Sequence, residues 1–121
     1  MGTQVRAKLK NLELIPADGD SEGSWYRMFI GPDGSDGEES FDLLVCTPQW
    51  LAVDVELNGP RVGNNLVIVE AMDSQRVEAF LRKQVESIMR PTWAEAAAEL
   101  SRFAHWEFDG YSPSSPKRPI T

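Results

Sequence analysis

The sequence predicts a single α+β domain, an antiparallel sheet of about four to five strands with two helices packed on one of its faces. Two observations support this fold class. Segments with the apolar pattern of strands occupy the first 72 residues, and segments with helical spacing follow them. Strands grouped before helices are typical of α+β folds, in which helices cover one face of an antiparallel sheet. The length of 121 residues suits one domain.

Four segments have the pattern of strands: residues 4–15, 25–30, 41–46 and 66–72. In the first, Val5, Ala7 and Leu9 alternate with basic residues, which indicates a strand with one face in water. The alternation changes phase near Asn11, so we expect a bulge there. The third segment is apolar except for Asp42, which predicts a central strand buried on both faces.

Two helices are predicted after these strands. Asp73 is a suitable N-cap for the first, whose apolar stripe is Val77, Phe80, Leu81, Val85 and Ile88. Thr92 and Glu95 form a capping-box pattern at the start of the second, whose apolar stripe is Trp93, Ala96, Ala97, Leu100 and Phe103.

Shorter elements are expected at three further places. Thr47 and Pro48 open a segment through Val55 for which the cap pattern predicts one helical turn. Residues 105–108 are predicted to form a last short strand. We expect the domain to span residues 1–111, and residues 112–121, rich in Ser, Pro, Lys and Arg, to form a disordered tail.

The charge is concentrated in one half of the chain. The net charge is −7, and residues 1–60 hold eleven acidic and four basic residues, whereas residues 61–121 hold eight of each. Nucleic-acid binding requires the opposite sign, because Lys and Arg must neutralise phosphates. An acidic surface suits a basic protein partner and speeds its capture. The alternative is that these acids only keep the protein soluble.

The sequence predicts a cytoplasmic protein that does not bind membranes. It contains one cysteine, so an intramolecular disulfide is impossible, which fits a reducing compartment. The N-terminal residues have no long apolar run of the kind that marks a secretory signal. The oligomeric state is left open by the sequence.

No set of residues with the spacing of a catalytic or metal site is found. Cys46 and His105 are the only cysteine and histidine, and a hydrolase that pairs them is the enzymatic alternative. Cys46 lies in an apolar strand, so we expect a buried side chain without catalytic function. One Cys and one His are too few for a structural zinc site, and no cofactor is predicted. The four tryptophans are expected in the core: Trp25, Trp50, Trp93 and Trp106.

Residues 37–51, GEESFDLLVCTPQWL, resemble the signature of the immunity-protein family numbered eight, from bacterial polymorphic toxin systems. Residues 30–32, the TWAE segment from Thr92 and residues 101–108 fit the same pattern, and the resemblance spans about residues 5–111. It implies a non-enzymatic protein, made beside a toxin, that protects the producing cell by binding that toxin. A nuclease is one candidate toxin, and a general protein-binding adaptor is the remaining alternative function.

The toxin-binding residues are predicted in polar loops. A motif shared by a whole immunity family marks the fold, because the contact must vary with the toxin. We therefore interpret Phe41, Leu43, Val45 and Trp50 as structural. The predicted partner-binding residues are the acids Asp33, Asp36, Glu38, Glu39, Asp54 and Glu56.

Overall fold

The computed structural model describes residues 3–15 and 22–108. The predicted tail, residues 112–121, lies outside the described residues, as does most of the loop before the second strand. The elements are β1 (Val5–Ile15), β2 (Gly23–Pro32), β3 (Glu39–Cys46), α1 (Pro48–Asn58), β4 (Leu66–Ile68), α2 (Ser74–Glu86), β5 (Met89–Arg90), α3 (Trp93–Leu100) and β6 (His105–Trp106). The α+β class is confirmed.

The described strands form one sheet with the order β4-β3-β2-β1-β5, and β6 pairs with β3. The three long strands form an antiparallel meander. The register of β1 against β2 shifts between Leu9 and Asn11, so the bulge predicted from the change of phase is confirmed. As predicted, β3 is central, since β2 lies on one side and β4 and β6 share the other.

The prediction of a purely antiparallel sheet was wrong, because β4 is parallel to β3. The chain leaves the end of β3, passes through α1 and returns in the same direction, as a crossover helix requires. The fourth strand is also shorter than predicted. It ends at Ile68, which pairs with Cys46, the last residue of β3, and the one further backbone bond to β3 is from Val69 N–H to Cys46 O at 2.8 Å.

The helices α2 and α3 pack on one face of the sheet, as predicted. Their buried residues are Val77, Leu81, Val85, Ala96, Ala97 and Leu100. These join one core cluster with the inward residues of the three long strands, among them Leu9, Met28, Ile30, Phe41 and Leu43. Phe80 was predicted in the apolar stripe of α2 but is exposed, because it lies at the flank of the stripe rather than over the sheet.

The helix starts agree with the cap patterns. The side chain of Asp73 accepts hydrogen bonds from the backbone of α2, and that of Thr92 accepts one from Glu95 N. Thr47 caps α1 and Pro48 occupies its first turn. The prediction of one turn here was wrong, because α1 has eleven residues. The apolar residues of α1 as a whole follow no helical period, so the sequence pattern did not predict the length of this helix.

The second face of the sheet is covered only in part. Successive strand residues point to opposite faces, so Leu44 and Cys46 lie on the face opposite α2 and α3, and both are buried. Trp50 of α1 packs against Gly23 there, where a Cβ atom would lie 2.4 Å from Trp50 Cε2. Trp25 was predicted in the core, but it lies on this second face and is 38% exposed, because neither α2 nor α3 reaches it.

Candidate functional site

The acidic loop, residues 33–38, is an ordered turn between β2 and β3. The backbone N–H of Asp33 donates to Arg6 O at 2.8 Å. The ammonium group of Lys10 donates to Ser35 O, and to Gly37 O at 3.0 Å. The loop also packs directly on Gly31, where a Cβ atom would lie 1.9 Å from Gly37 O. Backbone contacts therefore set the course of the loop and leave its acidic side chains free for other interactions.

Three acids of this loop face solvent. The residues Asp33, Asp36 and Glu38 are all exposed. Within the described residues, none of the ion pairs involves them. The ammonium group of Lys10 contacts the loop, but it binds carbonyl oxygens rather than these carboxylates. The loop consequently presents a concentrated and weakly compensated negative charge.

Glu39 differs from its neighbours in the loop. Its Oε1 atom accepts hydrogen bonds from the indole N–H of Trp93 at 3.1 Å and of Trp106 at 2.8 Å. The ring of Trp106 stacks on Phe41, with centroids 6.1 Å apart, and both tryptophans pack against the core. The side chain of Glu39 therefore points inward, and its carboxylate accepts hydrogen bonds from two tryptophans that pack against the core.

The other two predicted site acids lie on α1. Asp54 Oδ2 forms an ion pair with Arg61 at 3.0 Å, and the guanidinium of Arg61 lies over the ring of Trp50, 5.9 Å from its centroid. Glu56 is exposed. The acidic loop lies just before the first residue of β3, and α1 begins just after the last residue of β3. The eight residues of this strand span about 23 Å. The six predicted acids thus form two groups, one next to the first residue of β3 and the other on the helix that follows its last residue.

A feature that the sequence did not predict is the apolar surface of α1. No residue of this helix is buried. Val53 is 54% exposed, Leu57 is 74% exposed, and Val62, in the loop after the helix, is 77% exposed. Helices of globular proteins usually turn such side chains to the core. The sequence could have indicated this surface, because the residues of α1 are largely apolar but form no stripe toward the core. That observation requires the length of α1, which the sequence did not predict.

The two residues of the enzymatic alternative are far apart. His105 pairs with Asp42 across β6 and β3, and Cys46 lies four residues further along β3, a distance of about 13 Å. Burial raises the pKa of the Cys46 thiol, which disfavours the thiolate that acts as a nucleophile. The pair required for a Cys/His mechanism is therefore not formed.

No group of three or more His, Cys, Asp and Glu side chains in residues 3–15 and 22–108 is arranged to hold a metal ion. None of the described helices is both long enough and apolar enough to cross a membrane.

Residues 4–111 match the family model described as Immunity protein 8. The chain belongs to this family. No curated protein and no solved structure shows a significant match to the chain. Membership in the Immunity protein 8 family makes the chain an immunity protein that acts against a toxin, and its partner is the cognate toxin.

The residues that carry the family motif are structural in this Immunity protein 8 member. Phe41, Leu43 and Val45 are fully buried in the core. Trp50 fixes α1 against Gly23 of β2. The motif thus encodes the central strand and the start of the helix after it, and the exposed acids of the loop lie mostly before it.

Proposed function

We propose that this protein neutralises its cognate toxin by direct and non-enzymatic binding, that the toxin surface it meets is basic, and that the producing cell is thereby protected. The observation that carries the proposal is the acidic loop. Asp33, Asp36 and Glu38 are exposed and unpaired among the described residues, and the loop that presents them is held in place by Lys10.

An ordered acidic loop favours capture of a basic partner in two ways. Its field attracts the partner before contact and raises the association rate, an effect that salt screens beyond about 10 Å at 0.1 M ionic strength. Because the loop backbone is already fixed, contact costs little additional ordering. A loop with these acids serves solubility as well, but solubility does not require a fixed backbone.

A nuclease is the toxin class that best fits this charge, since the surface of a nuclease that binds phosphates must be basic. We place the action of the protein in the cytoplasm, where a toxin of this class would meet nucleic acid. The single cysteine is buried and forms no disulfide, which agrees with a reducing compartment.

The test uses the toxin domain encoded beside the gene for this chain, produced in a catalytically inactive form. Binding to the wild-type protein and to the triple variant Asp33→Ser, Asp36→Ser, Glu38→Ser is measured at 0.05 M and 0.5 M NaCl. We expect the variant to associate at least tenfold more slowly at low salt, and the difference to shrink at high salt.

The matched control replaces three exposed acids outside the loop, in the variant Glu13→Ser, Glu70→Ser, Glu78→Ser, which changes the net charge equally. Equal association rates for the wild-type protein and the loop variant at both salt concentrations would make the acidic loop a solubility feature. Failure of the wild-type protein to bind the toxin domain, or to protect cells that express its active form, would contradict the proposed function itself.

A further inference from the structure

The α1 surface, formed by Val53, Glu56 and Leu57, is the second unusual surface of this protein. Within the described residues, α2 and α3 each bury an apolar stripe against the sheet, whereas α1 buries none. The side chains of α1 that approach the body are Trp50, Leu51 and Asp54, which are half-buried. The helix is therefore attached along one side, and the other side is in water.

The exposed side of α1 is the more aliphatic one. Val53 and Leu57 are four residues apart, so they adjoin on one stripe of the helix, and Glu56 lies beside them. In a helix that only covered a sheet, this stripe would be polar. The anchoring of α1 is firm, since Trp50 packs on Gly23 and Arg61 bridges Asp54 and the Trp50 ring. A fixed helix with an aliphatic outer stripe is the kind of feature that docks into a groove of a partner.

The charges on this helix indicate the chemistry of the partner. Helix α1 has two acidic residues and no basic residue. Asp54 is paired with Arg61, which leaves Glu56 uncompensated. The C-terminal end of a helix carries a partial negative charge, and the last turn of α1 has no basic residue to offset it. A complementary surface therefore has an apolar groove bordered by Lys or Arg.

We infer that the cognate toxin docks on the α1 surface, placing an apolar groove over Val53 and Leu57 and a basic side chain near Glu56 and the end of the helix. This inference rests on the proposed function and divides the work between two surfaces. The α1 surface supplies the contact that holds the complex together. The acidic loop attracts the toxin at longer range and sets the rate at which it arrives.

The test compares Leu57→Arg with Leu14→Arg, using the inactive toxin domain as the probe. Both leucines are exposed, at 74% and 55%, and both substitutions add one positive charge. Leu14 lies on β1 opposite Tyr26 of the core cluster, so it is on the face of the sheet that α2 and α3 cover, whereas Trp50 of α1 contacts the other face. We expect Leu57→Arg to raise the dissociation constant at least tenfold at both 0.05 M and 0.5 M NaCl, mainly through faster dissociation, and Leu14→Arg to bind like the wild-type protein at 0.5 M NaCl. Unchanged melting temperatures would show that both variants are folded.

Two of the three other possible outcomes would overturn the inference. If the wild-type protein binds the toxin and Leu57→Arg binds equally well, the toxin docks elsewhere and the proposed function stands. If Leu57→Arg converts a dimer into a monomer without changing the toxin affinity, the α1 surface joins two copies of this chain. If a chain ending at Ser112 binds the toxin more tightly and Leu57→Arg abolishes that gain, the C-terminal segment competes for α1, and the inference holds.

Discussion

The carboxylate of Glu39 accepts the indole hydrogen bond of Trp106 at 2.8 Å, so a residue next to the acidic loop is tied to the core. Trp93 donates to the same oxygen. Both indoles thereby find an acceptor where β6 and α3 meet the start of β3. Of the four acids in residues 33–39, three face solvent and one holds the core together, although the sequence gives all four the same appearance.

Replacement of Glu39 should lower the stability of the fold. The variant Glu39→Ala leaves two half-buried indole N–H groups without their acceptor, and we expect a loss of about 1–3 kcal/mol in the free energy of unfolding. Glu38→Ala is the matched control, because it removes an exposed carboxylate and should change the stability by less than about 0.5 kcal/mol. Urea denaturation followed by tryptophan fluorescence measures both. Equal stability of the two variants would contradict a structural role for Glu39.

The attachment of α1 should depend on the absence of a side chain at position 23. In Gly23→Ala, the new methyl group would lie 2.4 Å from the Trp50 ring, so we expect a loss of about 1–3 kcal/mol from overpacking. Gly63→Ala is the control, since no atom lies within 4 Å of the Cβ position there. Thermal melts compare the two variants. A Gly23→Ala melting temperature no lower than that of Gly63→Ala would show that Trp50 does not pack as described.

The stability contributed by Cys46 should depend on pH. Because burial raises the pKa of its thiol, the folded protein holds that proton more tightly than the unfolded chain does. The contribution is complete below the pKa of an unfolded thiol, about 8.5, and is lost as the pH rises through the native pKa. At pH 7 we expect the free energy of unfolding of the wild-type protein to exceed that of Cys46→Ala by about 1 kcal/mol.

The measurement is urea denaturation of both proteins at pH 7 and pH 10 in the presence of a reducing agent. The alanine variant keeps every other titratable group of the protein. The difference in the free energy of unfolding between the two proteins therefore reports the contribution of the thiol. We expect this difference to shrink at pH 10, while toxin binding at pH 7 is the same for both. A difference that stays constant with pH would show that Cys46 titrates normally in the folded protein.

The C-terminal segment should be dispensable for folding. Residues 113–121 contain three prolines and a single large apolar side chain, Ile120, so they offer little surface to bury against the domain. We expect a chain ending at Ser112 to melt at the same temperature as the full-length protein within experimental error. A fall of several degrees would mean that the segment packs on the domain.

The local spacing of apolar and polar residues was enough to predict several elements of the fold. Period-two alternation predicted β1 and the bulge near Asn11, and an apolar run predicted β3 as the central strand. The helix caps Asp73 and Thr92 followed from side-chain oxygens that can accept from the first turn. The family was also recognisable from a motif whose central residues, among them Phe41, Leu43 and Val45, are buried in the core.

The exposed elements were less accessible to such patterns. A strand or helix buried on one face leaves a periodic pattern, but α1 buries no residue, and its length therefore could not be deduced from spacing. The parallel pairing of β4 depends on the path of that helix. Trp25 was placed in the core because it is hydrophobic and Phe80 because of its helical spacing, and only the packing of α2 and α3 on the sheet shows that both remain exposed.

The sequence by itself determined the fold class, the central strand and the excess of acid in the first half of the chain. The tertiary structure alone decided what each acid does. It turned Glu39 toward two indoles, paired Asp54 with Arg61, and left Asp33, Asp36 and Glu38 in water. The physical reason is that the role of a carboxylate depends on the groups within hydrogen-bond distance of it, and those groups come from residues up to 67 positions away in the chain.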